Sequence, residues 1–377
     1  MSASDNTPFP APRISGESMS VHGVVADKNT AVGLGLLEEP EEPELRATST
    51  VLKKKGRVPA VVLVSPALAD ANNGNWHTAR RWSQFLAAYC DIRIVSAWLP
   101  GDCPADLMVA LHARRSAPSI AAWAQAHPNQ PLAVVLTGTD LYRDILDDAV
   151  AQHSLAVATH LVVLQSDGLT ALPTRWRSKA RVIFQSAAAL TPAAKPSRVF
   201  RALMVGHLRD EKDPLTFMAA AAQPLPAHVR LDQIGDALDP ALGAAARATA
   251  AAHPHYRWLG GLPRAATRQH IKRAQLLVSC SRMEGGAHVI LEAVLSGTPV
   301  LASRVGGNVG MLGNDYAGYF ALGDSAALAA LLRRCVDEPS FLAGLQRQCT
   351  ARAPLFDVQR EKHLVIKLLT SALRWPH

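Results

Sequence analysis

The stretch at residues 275–300 reads QLLVSCSRMEGGAHVILEAVLSGTPV, and it decides the fold of the second half of the chain. Residues 275–279 are a mostly apolar run that predicts a buried parallel strand. Residues 284–295 then predict a loop that runs into a helix, with Glu284 and Glu292 eight positions apart. Eight positions span a little over two turns at ~3.6 residues per turn. We therefore expect both carboxylates to face nearly the same way, with Glu284 at the helix mouth and Glu292 one layer deeper.

Two glycines stand at the expected mouth of this helix. They allow the backbone to approach a ligand closely, and free N–H groups at a helix start favour phosphate. A carboxylate for a sugar, backbone N–H groups for a diphosphate and a second carboxylate for a ribose form a layout that suits a nucleotide sugar. The candidate donor-binding residues of this segment are Glu284, Gly285, Gly286, Ala287, His288 and Glu292.

Short apolar runs alternate with helical segments along the rest of the chain, which predicts an α/β protein with parallel sheets. The predicted strands are 60–64, 92–95, 107–111, 132–136, 161–164, 182–184, 201–205, 230–234, 256–259, 276–279, 300–302 and 319–321. A linker at 191–197 divides them into two doubly wound, Rossmann-like domains facing each other across a cleft. We expect a disordered tail at 1–57, domains at 58–197 and 198–355, and a closing helical segment at 356–377.

Three further loops follow predicted strands, where doubly wound domains bind ligands. The loop at 72–75 holds Asn72, Asn73, Gly74 and Asn75, which suit an anion but equally suit a turn with a helix cap. Thr139 and Asp140 are candidates for an acceptor, or for a plain turn in which Asp140 caps the next helix. In the loop at 206–214, Arg209 and Lys212 are candidates for a diphosphate, or for a solvated charged turn.

Composition narrows the function classes. The net charge of +8 fits an anionic substrate, yet no basic stripe is interleaved with aromatic residues, so we expect no nucleic-acid partner. The five cysteines are scattered without a zinc-type spacing, which indicates reduced thiols in a cytoplasmic protein without a metal site. No apolar run reaches ~18 residues and no signal pattern begins the chain, so we expect no membrane span. No cofactor motif is present either.

Residues 200–320 resemble the nucleotide-sugar glycosyltransferases of GT-B fold that include sucrose and trehalose-phosphate type synthases. The resemblance implies that Glu284 lies beside the transferred sugar, that Glu292 binds the ribose, and that Gly206 and Lys212 hold the diphosphate. The family's arginine after that glycine is His207 here, so Arg209 would supply its charge. The catalytic residues so implied are Glu284, Lys212 and Arg209. In relatives the last helix returns to the first domain.

The first half resembles a narrower group, the selenosugar synthases of selenoneine biosynthesis. The resemblance is carried by residues 64–67, 72–82, 136–142 and 206–214. It implies a reaction that joins a UDP-sugar, typically UDP-N-acetylglucosamine, to selenophosphate through a carbon–selenium bond. It also implies a functional link to the downstream selenoneine-forming enzyme.

The chemistry of Thr139 bears on the acceptor. Many relatives carry a His–Asp pair where this chain has Thr139 and Asp140. An alcohol acceptor benefits from a base, whereas selenophosphate is already an anion and needs anchoring. Two rival functions remain: an O-glycosyltransferase acting on a lipid, polysaccharide or small-molecule alcohol, and a non-catalytic UDP-sugar-binding protein.

Overall fold

The structure, a computed structural model, describes residues 57–66, 74–102 and 104–374. The predicted tail at 1–57 lies outside the described residues except for Arg57. Asn72 and Asn73 also lie outside them.

The described residues contain two parallel sheets of six strands each, which confirms the predicted fold class of two doubly wound domains. The first sheet has the order β2-β1-β3-β4-β5-β6. Its strands are β1 Ala60–Val64, β2 Asp91–Val95, β3 Leu107–Leu111, β4 Leu132–Leu136, β5 His160–Val163 and β6 Ala180–Val182. The second sheet has the order β12-β11-β10-β7-β8-β9. Its strands are β7 Phe200–Val205, β8 Val229–Ile234, β9 Tyr256–Trp258, β10 Leu276–Ser279, β11 Val300–Ser303 and β12 Tyr319–Phe320.

Helices connect successive strands and cover the sheets. In the first domain they are α1 Gly74–Leu86, α2 Ala117–Ala126, α3 Ile145–Asp147, α4 Ala149–Val157, α5 Asp167–Ala171 and α6 Thr174–Arg177. In the second half they are α7 Pro214–Ala220, α8 Pro240–Ala252, α9 Arg264–Arg273, α10 His288–Val294, α11 Gly306–Leu312, α12 Ser325–Asp337, α13 Pro339–Arg352 and α14 Val358–Leu373. None of the helices in the described ranges is long and apolar enough to cross a membrane.

The strand order creates one switch point in each sheet. Chain direction across the sheet reverses between β1 and β3 in the first domain and between β7 and β10 in the second. Open α/β sheets bind ligands at such points, outside the carboxyl ends of the strands. The loops that follow β3, β7 and β10 are therefore the places where chemistry is expected.

Strand β6 ends earlier than the sequence predicts. It spans Ala180–Val182 rather than 182–184, because its only neighbour in the sheet, β5, ends at Val163 opposite Val182. Ile183 makes one more backbone hydrogen bond, to the Val163 carbonyl at 3.0 Å, and the chain then leaves the sheet.

Helix α14 packs on the first domain. Its apolar face, including Val365 and Leu369, shares a buried cluster with Trp82 of helix α1. A fully buried carboxylate, Glu361, fixes the helix there. It accepts hydrogen bonds from Arg81 Nε at 2.7 Å, from Trp82 Nε1 at 2.8 Å and from the backbone N–H and hydroxyl of Ser186.

His160 makes the stability of the first domain depend on pH. Burial, together with the positive charges of Arg181 and Lys179, lowers the pKa of His160 from 6.5 to about 4. Between these pH values the unfolded chain binds the proton more readily, so the free energy of unfolding falls as pH falls from 6.5 towards 4. Urea unfolding at pH 7 and pH 5 should show this loss, at about 1.4 kcal/mol for each pKa unit that is expressed. His160→Gln should reduce the difference between the free energies of unfolding at pH 7 and pH 5. An unchanged difference would show that His160 is not the group responsible.

Candidate active site

Lys212 and Glu284 meet at the switch point of the second sheet. Lys212 lies in the loop after β7 and Glu284 in the loop after β10, and Lys212 Nζ is 2.5 Å from Glu284 Oε1. The Ser281 hydroxyl donates to the same oxygen at 2.6 Å. Glu284 is only 8% exposed, so the pair is sheltered from water. Both contacts use Oε1, which leaves Oε2 without a partner among the residues that the structure describes.

The spacing from Glu292 predicts that Glu284 lies at the start of a helix, but in the structure it does not. Helix α10 begins at His288, four positions later, and Ala287 is its N-cap. Gly285 and Gly286 keep the preceding segment out of the helix, since glycine favours irregular backbone. The two glutamates therefore belong to different local structures, a loop and a helix, and the helical spacing argument holds only for Glu292.

Two arginines of helix α9 lie beside Glu292. Its Oε1 lies 3.1 Å from Arg264 Nη2, 3.6 Å from Arg268 Nε and 3.5 Å from His288 Nδ1. Burial acts to raise the pKa of Glu292, but the hydrogen bond with His288 and the charge of Arg264 outweigh it and leave the pKa below its ordinary value. Glu292 is thus an ionised carboxylate. All of these contacts use Oε1, and Oε2 makes no hydrogen bond or ion pair within the described part of the chain, so it is available to a ligand hydroxyl.

Two of the predicted donor-binding residues carry a buried nitrogen without a hydrogen-bond partner in the described chain. These nitrogens are Arg209 Nε and His288 Nε2. Burial lowers the pKa of His288 although Glu292 opposes this, so its ring is neutral. An unpaired buried polar group costs about 1–3 kcal/mol. Arg209 Nε is therefore a ready donor, and His288 Nε2 a ready acceptor once Nδ1 carries the ring proton.

Gly206 and His207 contact different segments of the second domain. Gly206 lies against the Lys212 side chain, which is 3.4 Å from the position a Cβ would take, an ordinary contact distance. His207 turns towards the loop after β8, and its Nδ1 accepts the N–H of Asp236 at 3.2 Å. Arg209, two positions after His207, carries a positive charge in this loop, and its Nε lies 3.8 Å from Glu211 Oε2.

Gly285 and Gly286 also serve a purpose that the sequence does not reveal. A Cβ at Gly285 would lie 2.1 Å from the Thr137 carbonyl oxygen, and one at Gly286 would lie 2.7 Å from Gln185 Oε1. Thr137 and Gln185 belong to the first domain. The two glycines therefore let the domains touch beside Glu284, in addition to the close approach of a ligand that their position predicts.

The predicted acceptor residues lie on the first-domain side of this contact. Gly74 opens helix α1, and the Thr78 hydroxyl donates to its carbonyl at 2.8 Å. Asn75 lies in the first turn of α1 rather than at its N-cap, because the helix already begins at Gly74. The charges of Arg264, His288 and Glu292 act on His77 in the same turn, which places this turn beside the Glu292 cluster.

Thr139 and Asp140 separate in role. Asp140 is fully buried and accepts the N–H groups of Thr137 and Gly138 on Oδ1 and of Ala113 on Oδ2. Its carboxylate therefore shapes the loops after β3 and β4, and it neither caps its own helix nor faces a substrate directly. Thr139 is half-buried and carries the polar group that an acceptor could reach.

Five residues of the site escape the sequence analysis: His77, His112, Arg264, Arg268 and Ser281. His112 had a usable signal, since it directly follows a buried strand at a switch point. Arg264 and Arg268 had none, because a pair of arginines on a helix ordinarily marks a solvated face.

Comparisons with known proteins agree with the fold. Residues 200–338 match the family model "Glycosyl transferases group 1". The fold is similar to that of sucrose-phosphate synthase from Thermosynechococcus elongatus, with a TM-score of 0.68 and 17% identity over 84% of this chain and 99% of that one.

Two further solved structures share the fold. Anabaena HepE in complex with UDP-glucose has a TM-score of 0.63 and 18% identity, covering 89% of this chain and 97% of that one. The pneumococcal O-GlcNAc transferase GtfA in complex with UDP and GlcNAc has a TM-score of 0.55 and 16% identity, covering 71% and 57%. The second domain thus matches the glycosyl transferases group 1 family, and the chain has the two-domain fold of solved glycosyltransferases.

Proposed function

We propose that this protein is a glycosyltransferase that takes its sugar from a UDP-sugar. The observation that carries the proposal is the meeting of Lys212 and Glu284, from two separate loops, at the switch point of the second sheet. A nucleotide sugar needs a cation beside its diphosphate and a carboxylate beside its sugar hydroxyls. The family match over residues 200–338 supports the same assignment.

Each donor-site residue has a role in this proposal. Lys212 and Arg209 neutralise the departing diphosphate, and Gly206 lies against the lysine side chain. Glu284 orients the sugar through Oε2, and Glu292 accepts a ribose hydroxyl through its own Oε2. The turn at 285–288 lines the same site. The proposed reaction uses no metal and no cofactor.

For the acceptor we propose selenophosphate, with UDP-N-acetylglucosamine as the donor. The selenium anion attacks the anomeric carbon of the sugar, and a carbon–selenium bond forms. The bond between that carbon and the diphosphate oxygen breaks, and UDP leaves with the electron pair. No proton has to be removed from the acceptor, so the Thr139 hydroxyl has only to hold the anion. Asn75, Gly74 and Thr139 anchor this anion, together with Asn72 and Asn73 of the preceding loop.

One assay tests donor and acceptor together. The protein is incubated with UDP-N-acetylglucosamine, with and without selenophosphate, and mass spectrometry detects UDP and any selenium-containing sugar. Selenosugar formation supports the proposal, and transfer to alcohols without selenophosphate supports an O-glycosyltransferase. Binding of UDP without turnover with any acceptor would indicate a sugar-nucleotide-binding protein. Failure to bind UDP in calorimetry would overturn the whole assignment.

One surface feature favours the O-glycosyltransferase alternative with a lipid alcohol. Leu146 and Val150, in the segment that follows the Thr139 loop, are 65% and 57% exposed. Arg143 and Arg114 lie in the same region and are also exposed. The apolar part of this face suits a membrane surface, while Arg143 and Arg114 pair with Asp144 and Asp148. Sedimentation with vesicles containing anionic lipid, with Leu146→Ser as the comparison, tests this alternative.

Glu292→Gln is expected to weaken UDP binding by about tenfold to a hundredfold. The change removes a charged hydrogen-bond acceptor for the ribose, an interaction worth about 1.5–3 kcal/mol. Calorimetry with UDP and with 2′,3′-dideoxy-UDP isolates the cause. The variant should bind both nucleotides about equally, whereas the unchanged protein should prefer UDP. An unchanged preference for UDP in the variant would exclude Glu292 from the ribose site.

A further inference from the structure

His112 occupies the switch point of the first sheet, and the proposed reaction does not yet use it. It directly follows strand β3, is 3% exposed and has a left-handed backbone with φ of 71°. Such a backbone is costly for a residue other than glycine and is concentrated at functional sites. His112 Nε2 lies 2.9 Å from the Thr139 hydroxyl oxygen, which joins the loops after β3 and β4.

The surroundings of the ring decide which nitrogen carries the proton. The backbone N–H of Arg115 donates to His112 Nδ1 at 3.3 Å, so Nδ1 is an acceptor and carries no proton. Burial lowers the pKa of His112, which keeps the ring neutral. A neutral imidazole holds one proton. That proton is therefore on Nε2, and Nε2–H donates to Thr139 Oγ1.

Two carboxylates also face the ring but do not change this assignment. Asp140 Oδ2 lies 3.8 Å from Nδ1 and already accepts the N–H of Ala113 at 2.9 Å. Asp144 Oδ2 lies 4.0 Å from Nε2, and its other oxygen is 3.0 Å from Arg143 Nε. Both distances from the ring exceed hydrogen-bond length. The Arg115 N–H is thus the group that makes a hydrogen bond with Nδ1.

The consequence falls on the Thr139 hydroxyl. Because its oxygen accepts from His112, its own proton points away from the ring, and the hydroxyl makes no second hydrogen bond within the described ranges. Thr139 follows Gly138, where a Cβ would lie 2.8 Å from the backbone nitrogen of Gly285. The hydroxyl is therefore a donor placed beside the loop that carries Glu284. A histidine acting as a base through Thr139 would need the opposite arrangement, with an unprotonated Nε2.

We propose that His112 is a positioning residue that fixes the Thr139 hydroxyl as a hydrogen-bond donor to an acceptor substrate that arrives as an anion. This inference rests on the proposed function and narrows it to acceptors of the phosphate class, which need no base. Arg115, which is exposed and has no ion-pair partner in the described chain, provides positive charge on the same loop. The acceptor anion forms the bond to the sugar, UDP leaves with the electron pair, and no proton moves.

Nitrogen-15 NMR of the histidine rings tests the tautomer without any activity. The ring resonances of His112 are identified by their loss in His112→Gln. We expect an unprotonated Nδ1 and a protonated Nε2 at pH 7 in the full-length protein. A proton on Nδ1, or on both nitrogens, would overturn the inference even if the protein is a glycosyltransferase.

Matched variants test the effect on the acceptor. Thr139→Val removes the donor at nearly constant volume, and Thr139→Ser restores it. With selenophosphate as the probe in the presence of UDP, calorimetry should show about tenfold weaker binding for Thr139→Val and rescue to within about threefold for Thr139→Ser. UDP affinity measured alone should stay constant, because the variants do not alter the donor site. Equal losses in both variants would overturn the donor role.

A second pair separates the hydrogen bond from the backbone. Asparagine tolerates a positive φ and can accept from the Arg115 N–H, but it is too short to reach Thr139. Glutamine can reach it with an N–H donor. His112→Asn should therefore weaken selenophosphate binding about as much as Thr139→Val, and His112→Gln should weaken it less. Weaker selenophosphate binding by His112→Gln than by His112→Asn would contradict the proposal. Failure of the unchanged protein to bind UDP would instead contradict the proposed function.

Discussion

Lys212→Met is expected to lower kcat for UDP-sugar turnover by about a hundredfold to a thousandfold. Removal of one preorganised donor to a developing charge typically costs ~3–4 kcal/mol of barrier. The lysine is also the ion-pair partner of the buried Glu284. Without it, the glutamate and the leaving diphosphate would repel each other in a sheltered site. The affinity for UDP should fall less than kcat, because the charge on the diphosphate increases in the transition state.

The measurement is steady-state release of UDP, with the UDP dissociation constant determined separately. Lys367→Met, on the exposed part of helix α14, is the matched control and should behave as the unchanged protein. A double-mutant cycle with Glu284→Gln isolates the pair, since contacting residues are not additive. A kcat for Lys212→Met within threefold of the unchanged protein would remove the lysine from the mechanism.

Glu361→Ala is expected to destabilise the protein by about 3–5 kcal/mol. The Glu361 side chain is fully buried, and Arg81, its partner, is 14% exposed. Loss of the carboxylate leaves a buried guanidinium without a counter-charge and unsatisfies Trp82 Nε1 and Ser186 as well. Most domains have only about 5–15 kcal/mol of stability in total, so helix α14 should separate from the first domain at a much lower urea concentration.

The chain offers a matched control in a second glutamate. Glu338 pairs with Arg334 at 2.9 Å, but both side chains are about half exposed, at 51% and 50%. Glu338→Ala should cost at most about 1 kcal/mol, because water screens such a pair. Replacement of both buried partners, Arg81→Met with Glu361→Leu, should recover much of the loss. Equal losses for Glu361→Ala and Glu338→Ala would show that burial does not govern the effect.

The fold could be predicted closely because a buried strand leaves a strong record in the sequence. Strands β1, β3, β4 and β10 span the residues that their apolar runs predict. Most other strands differ from the prediction by one residue at an end, and the largest difference is at β6, whose bounds depend on where its neighbour β5 ends. The length of an edge strand depends on where its hydrogen-bonded neighbour ends, and the apolar residues of the edge strand itself do not specify that.

The site could be predicted in part. The loops after β7 and β10 were identified from glycines and charges next to strands, and the structure brings Lys212 and Glu284 together. Arg264 and Arg268 were missed because their partner, Glu292, lies on another helix, 28 and 24 positions further along the chain. Asp140 is a predicted acceptor residue because it follows the carboxyl end of a strand, whereas in the structure its carboxylate accepts three backbone N–H groups.

The sequence by itself determined the alternation of strands and helices and the loops that carry charge, because both follow from local patterns of apolar and polar residues. Only the tertiary structure decided which charges meet, which glycines let the two domains touch, and which hydroxyl the His112 ring contacts. These depend on distances between segments far apart in the chain, such as the 2.9 Å between His112 and Thr139. Hydrogen bonds and ion pairs act over a few ångströms, so their partners are fixed by packing and not by spacing along the chain.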